Sequence, residues 1–549
     1  MKRKLYDLKN YLIKNKLVSL NFLILLFSIV WLKEINYLFY STFESPDLNK
    51  YFIYFDHFFN NEKTGKEHGL MYYYLHSLNY SIFYSEFRNF ELFVHKSIQQ
   101  VNFYIFIFGL VGYYYLLRLL KFSLNVVFPT LLFINFFPPS ISMRLVFKPE
   151  ILAFALLPWI IYLLEKYIES KNIQNLIVCI PMIVSIIALK GNVLVIVSVY
   201  LFFSYFRIFI DVPKKILLGL FLVSILSFSA LSMENNNANG KSILDIQSGS
   251  AIEENYDYRA PKSIIYKADM YGLLSSPIKH NHADSFIGIT LLETNGDYFD
   301  LYWDNDGSNY FKNRKNLIEF RQSNEIKGPE FNSENFTLTI YQQRNTDVYL
   351  YESIGLIISI YLFYLLIKNT LQNKKYRKFL LATFLGMIVL LFHSITGIPE
   401  NNFDPTLGDT FKPLYYSFVL IFSFAFLLVI LFDSKKIKTI FVFVYMFLIV
   451  FLLGFPKEQN YDFQANLVNN IQDSAYCEIE KIIYLSGSDF ENVDCSAKQD
   501  INISSKDANI EFFKNDLNHK PFNLILIVSY LSIAFYSIME RRANKTSSI

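Results

Sequence analysis

Residues 18–40, VSLNFLILLFSIVWLKEINYLFY, run nearly free of charge for the length of a membrane crossing, and at 45–57 they give way to SPDLNKYFIYFDH. Crossing about 30 Å of hydrocarbon takes about twenty apolar residues in a helix, and the first stretch supplies them. The residues before it are basic (Lys2, Arg3, Lys4, Lys14, Lys16), and no small-residue cleavage site follows. The span is too long for a signal-peptide core, so it reads as a retained anchor. Beyond it an acid, Asp47, stands at the water-facing end. The chain continues through Asp56, His57, Glu67 and His68 to the aromatic run Met71-Tyr72-Tyr73-Tyr74-Leu75-His76.

Composition extends this reading to the whole chain. Hydrophobic residues make up 53% and aromatics 18% of 549 residues, values a soluble chain rarely shows, so this is an all-α polytopic membrane protein. The net charge of +3 is spread over short clusters between apolar spans and forms no patch for nucleic acid. Abundant Phe, Tyr, Ile, Asn and Lys suggests an AT-rich coding bias and a bacterial source.

Stretches long enough to cross fall near 18–40, 101–120, 122–139, 145–164, 173–189, 191–210 and 215–232, then near 349–367, 379–397, 413–432, 438–455 and 522–538, about twelve in all. With the N-terminus inside, the inner segments are 118–121, 165–171, 207–215, 368–378, 433–438 and a tail with Arg541, Arg542 and Lys545. These are short and mostly basic, as the positive-inside rule requires. Every long loop (41–100, 233–348, 456–521) then lies outside. The expected location is a bacterial plasma membrane, with both termini cytoplasmic. The chain divides into 1–232, a large extracytoplasmic loop 233–348, a second transmembrane group 349–455, a loop 456–521 and a last helix with tail, 522–549.

Cys477 and Cys495 share the third outer loop, where they are either a disulfide or two free thiols; Cys179 lies in a span. All eight histidines fall outside or near the outer boundary, so acid-base or ligand chemistry is expected to face out. No phosphate-cradling Gly loop or dinucleotide fingerprint occurs on the inner side, which disfavours an ATP-driven pump. No internal repeat relates the halves, unlike transporters built from two related units.

Several positions offer chemistry. Asp47 is a carboxylate able to take a proton from a hydroxyl, with Tyr51 one helical turn on; equally, after Ser45-Pro46, it is a helix cap. Asp56 is the alternative acid, and Glu67-His68 suits a polar substrate. Arg144 and Lys148 are spaced one helical turn apart before Glu150, which suits either gripping phosphate oxygens or snorkelling with an internal ion pair to Glu150. Lys190, at a tight outer turn, opposes the positive-inside trend, and Lys412 stands at the outer edge of a late span. His280, His282 and Asp284 alternate as His-x-His-x-Asp, a pattern open to a divalent metal or to one face of a strand. The acidic-aromatic stretch from Glu293 to Trp303 reads as a sugar-contacting surface or an interfacial belt. No cofactor is required; a divalent ion is the alternative.

Together these features resemble the GT-C superfamily of polyprenyl-phosphate-sugar-dependent glycosyltransferases, which includes protein mannosyltransferases and the aminoarabinose transferases of lipid A. The matching features are the inside N-terminus, Pro46-Asp47 and Tyr51 after the first span, the amphipathic first outer loop, and Arg144-x-x-x-Lys148-Pro149-Glu150 before the fourth span. The resemblance implies a GT-C-like catalytic module at 1–232, with Asp47 as general base and Glu150 or Arg144 helping to hold donor or acceptor. It also implies that Lys190 and Lys412 contact a lipid-linked phosphate, and that transfer to a glycan, lipid or protein hydroxyl inverts the sugar carbon. The chain departs from the protein mannosyltransferases in having Asp47-Leu48-Asn49 where they carry Asp-x-Glu. The competing readings are an outer-face glycan polymerase or ligase and a lipid-linked glycan flippase. A flippase calls for charges deep inside spans, which are scarce here.

Overall fold

A computed structural model of the chain describes residues 20–30, 69–83, 90–145, 147–212, 285–294, 347–396 and 413–434, with shorter pieces among 54–59, 218–233 and 265–275. All regular structure among the described residues is helical. The helices are α1 (Leu20–Val30), α2 (Leu70–Phe83), α3 (Phe90–Leu119), α4 (Leu124–Phe136), α5 (Pro138–Leu145), α6 (Glu150–Ser170), α7 (Gln174–Ile187) and α8 (Gly191–Asp211). They continue with α9 (Met270–Ser275), α10 (Phe286–Thr294), α11 (Asp347–Gln372), α12 (Arg377–Thr396) and α13 (Ser417–Asp433), the last entered through a 3₁₀ turn, Pro413–Tyr416. Five are long and apolar enough to cross a membrane, over Ser97–Leu119, Glu150–Ser170, Gly191–Ile208, Ser353–Gln372 and Arg377–Ile395. The protein is an all-α membrane protein. The expected spans at 438–455 and 522–538 and the pair Cys477 and Cys495 lie outside the described residues.

Prolines move two span boundaries from where hydropathy put them. The stretch expected to cross over 122–139 is instead α4, 13 residues long, ending at Phe136; Phe137, before a proline, is driven extended (φ −67°, ψ 125°). Pro138 and Pro139 then open α5, where a missing N–H costs nothing. Pro149 likewise keeps Lys148 out of helical conformation. The crossing expected over 145–164 therefore starts at Glu150 and not near 145.

The most extensive helix contact joins α3 to α6. It depends on small residues: a Cβ on Gly109 would lie 2.6 Å from Phe154 Cε1 and 3.0 Å from the Ala155 Cα, and one on Gly112 would lie 2.8 Å from Trp159 Nε1. Without a hydrophobic drive between helices in lipid, such close backbone approach is what holds them. The Trp159 indole N–H adds a bond of 3.0 Å to the Phe108 carbonyl. At the centre stands α13, apolar on every side and buried from Ser417 to Phe432, as an all-round apolar helix must be. It packs on α4, α6 and α12, and its Ser423 hydroxyl accepts from the Thr383 N–H (3.0 Å) while donating to the Phe379 carbonyl (3.0 Å). Phe202, Phe203 and Phe206 of α8 and Ile388 and Phe392 of α12 point outward, where a bilayer would cover them.

The two ends of the bundle differ. At one, Phe122 packs on Tyr376 (5.3 Å), Lys378 pairs with Glu165, and the Tyr205 hydroxyl donates to Glu165 at 2.7 Å. These residues belong to or adjoin the segments assigned to the inner side. At the other end the starts of α2, α6, α8 and α13 meet. Gly69, just before α2, donates its N–H to the Leu189 carbonyl (2.9 Å), and a Cβ there would sit 1.9 Å from the Ala188 carbonyl oxygen. Backbone cannot yield as a side-chain tip would. Gly69→Ala is therefore expected to cost about 1–3 kcal/mol by overpacking. Thermal unfolding in detergent micelles reads this as a clear loss of stability, whereas a wild-type midpoint would show that α2 is not seated on the Leu189 turn.

Candidate functional site

The site begins with two helices that start side by side. Glu150 is the first residue of α6 and lies 1% exposed, where a carboxylate suits the positive end of the helix dipole. Lys190, directly before α8, has an extended backbone (φ −167°, ψ 149°). Its ammonium reaches the Glu150 Oε1 at 3.0 Å with 13% of the side chain exposed. Forty residues of sequence separate the two, and only the fold brings them together.

The 3₁₀ turn ahead of α13 supplies the third component. Lys190 Nζ stands 3.9 Å from the centroid of the Tyr415 ring, and Lys148 Nζ stands 5.7 Å from the same ring. Two ammonium groups from different segments thus lie over one aromatic ring, a cation–π arrangement that gains strength away from water. Lys148 is 2% exposed. Tyr416, which follows Tyr415, is buried as well, and α10, which carries Glu293, packs on this turn.

Lys148 is held in place by its neighbour. The Phe147 ring sits in an aromatic nest: Phe55 at 5.7 Å, Tyr72 at 5.6 Å, Tyr73 at 5.2 Å and His76 at 5.0 Å between ring centroids. Beneath the nest runs a buried polar chain. The Tyr72 hydroxyl donates to Asn102 Oδ1 (2.9 Å), which also meets His76 Nε2 (3.1 Å). Asn102 Nδ2 donates to the Arg144 carbonyl (3.1 Å), and Asn135 Nδ2 to the Ser28 hydroxyl (2.9 Å). Burial first, and then the charge of Glu150, pushes the Tyr72 pKa up.

Arg144 therefore occupies a different place from the lysines. Its Nε donates to the Ser140 carbonyl, Nη1 to Asn135 Oδ1 (3.2 Å) and Nη2 to the Asn135 carbonyl (2.8 Å), and its Cζ lies 4.4 Å above the Phe106 ring. Burial lowers its pKa to about 9, which leaves it protonated at neutral pH. The one-turn spacing expected of Arg144 and Lys148 is not realised, because α5 stops at Leu145 and the chain bends before Pro149.

Of the residues expected to carry chemistry, the structure brings together Lys148, Glu150 and Lys190, and turns Arg144 inward. Asp47, Tyr51, Asp56, Glu67, His68, His280, His282, Asp284 and Lys412 lie outside the described residues. Among the described residues, no group of three His, Cys, Asp or Glu side chains stands ready to hold a metal ion. Tyr415 was not singled out in the sequence; its signal is an aromatic residue close behind Lys412 at the start of a span. His76, which the sequence assigns to the outer side of the membrane, is fully buried within the protein, between Tyr72 and Asn102.

That burial makes a pH prediction. Desolvation lowers the His76 pKa to about 4, against the pull of acceptors at Tyr72 and Asn102. A folded-state pKa below the unfolded one means the unfolded chain binds more protons between the two values. Stability is then full above about pH 6.5 and falls toward pH 4, by about 3 kcal/mol in all. His76→Asn should remove most of this slope in unfolding midpoints taken from pH 7 to pH 5; a wild-type midpoint unchanged over that range contradicts it.

No protein-family model and no curated protein matches the chain.

Proposed function

We propose that the chain is a GT-C-type glycosyltransferase, moving a sugar from a polyprenyl-phosphate donor to an acceptor hydroxyl on the extracytoplasmic face of a bacterial plasma membrane. The observation that supports this reading is the meeting of Lys148, Lys190 and Glu150 around Tyr415 at one end of an apolar bundle. Ionisable groups next to hydrocarbon are costly and mark a polar ligand or pathway. A lipid-linked phosphate is a ligand that ammonium groups at the end of an apolar bundle suit. This reading includes about twelve spans, the first seven and loop 41–100 forming the catalytic module, and both termini cytoplasmic.

In this mechanism Asp47 takes the proton of the acceptor hydroxyl as its oxygen attacks the anomeric carbon from the face opposite the phosphate. The bond from that carbon to the phosphate oxygen breaks, its electron pair stays on the phosphate, and the configuration inverts. Lys148 and Lys190, with Lys412, offset the charge that grows on the departing phosphate. That group leaves without being protonated, so one base is enough. Arg144 is a positioning residue here: by tying α5 to Asn135 it fixes the corner that presents Lys148 and Glu150. Glu150 lies close enough to Lys190 to order it and to meet donor or acceptor hydroxyls.

The test is incubation of the purified protein in nanodiscs with a panel of radiolabelled polyprenyl-phosphate sugars. Wild type is expected to transfer from at least one. Asp47→Asn should lower transfer about 10²- to 10⁴-fold with donor binding retained, the usual weight of a general base. Lys190→Met should weaken donor use about 10-fold or more through loss of a charge-assisted contact. Unchanged turnover in Asp47→Asn removes that residue from the mechanism, and no transfer from any donor removes the activity.

A further inference from the structure

The site holds unmatched groups of two opposite kinds. Glu150 spends Oε1 on Lys190, while among the described residues its Oε2 is enclosed without a hydrogen-bond partner. A carboxylate accepts through both oxygens, so an enclosed idle one points to a donor that arrives with a ligand. Two residues past Lys190, the Asn192 Nδ2 is enclosed without an acceptor among the described residues. Beside both is the start of α8, a helix of 21 residues whose first intrahelical bond is Leu194 N–H to the Lys190 carbonyl. The Lys190 side chain does not cap it, so the amides of Gly191 and Asn192 stand at the positive end of the helix without an intrahelical partner.

We propose that Glu150 is a displaceable counter-ion. It holds the Lys190 ammonium in the free protein, a phosphate ester takes Lys190 over together with the α8 N-terminus, and the released carboxylate accepts hydroxyls carried on the other side of that ester. The inference rests on the transferase reading and adds how its donor is taken up: the phosphate displaces Glu150 from Lys190, and the hydroxylated ring then occupies the carboxylate. A bare anion would match Lys190 and the helix start but leave Glu150 facing like charge. A neutral polyol would match Glu150 and Asn192 but leave the cations where they are. A phosphate joined to a polyol matches all of them. Gly191, at the first position of α8, presents no side chain between the phosphate and the backbone.

The experiment compares two probes on the full-length protein in nanodiscs of zwitterionic lipid: a short polyprenyl monophosphate without sugar, and the same phosphate bearing a hexose. Affinities are measured for wild type, Glu150→Gln, Lys190→Met and the double variant, each checked for wild-type elution and cooperative unfolding. Glu150→Gln should bind the sugarless phosphate about fivefold or more tightly, because no competitor holds Lys190, and should lose the preference for the hexosyl form. Lys190→Met should weaken both probes about 10-fold. The double variant should bind the sugarless probe as Lys190→Met alone does, because Glu150 acts on this ligand through Lys190. The proposal is overturned if Glu150→Gln binds the sugarless probe no better than wild type. It is also overturned if the gain persists in the double variant, which would make Glu150 a general repellent of anions. The predicted binding pattern without sugar transfer from any donor would keep the phosphate site and remove the transferase; transfer without any Glu150 effect would do the reverse.

Discussion

The ion pair between Glu150 and Lys190 sets the conditions for everything at its end of the bundle. A carboxylate 1% exposed beside helices meant for lipid is tolerable only with a cation at hydrogen-bond distance, and removing one member of such a pair costs about 3–5 kcal/mol. The starts of α6 and α8 are thereby obliged to sit together. Gly69 extends the arrangement, since its N–H closes on the carbonyl of Leu189, next to Lys190. The turn before α2, the turn before α8 and the start of α6 are thus joined by contacts a few ångströms apart.

Aromatic packing does the rest of the positioning. Phe147 is gripped by rings from α2 and from the short segment before it, and the residues that follow, Lys148 and Glu150, are presented at the rim. Under the rim the chain from Tyr72 through Asn102, Arg144 and Asn135 to Ser28 links α2, α3, α5, α4 and α1. A buried guanidinium serves this purpose well, because its planar fork engages the side chain and the backbone of Asn135 at once. Arg144 makes the corner rigid, Lys148 stays buried beside it, and Lys190 keeps 13% of its side chain exposed.

Much of this was legible in the sequence. Apolar windows located the crossings at 191–210, 349–367 and 379–397 to within a few residues, because lipid demands length and lack of charge, and both are local properties. Cations at an outer edge where the positive-inside rule disfavours them marked Lys148 and Lys190, and Glu150 was already set beside the former. The partner of Glu150 was not legible. An ion pair across forty residues depends on how α6 and α8 pack, and sequence spacing offered Lys148 first. Arg144 was grouped with Lys148 on helical spacing that Pro149 interrupts. Tyr415 has no spacing signal linking it to either lysine, and His76 sits in a run whose tyrosines conceal how deeply that segment is buried.

The account stands on a phosphate group resting between Lys148 and Lys190 at the start of α8. The most direct measurement is a cryo-electron microscopy structure of the protein in nanodiscs with a non-hydrolysable polyprenyl-phosphonate sugar bound. The account predicts phosphonate density within hydrogen-bond reach of Lys190 and of the Gly191 amide, with Lys190 drawn off Glu150. Density for the headgroup at another part of the bundle, with Lys190 still closed on Glu150, would contradict it.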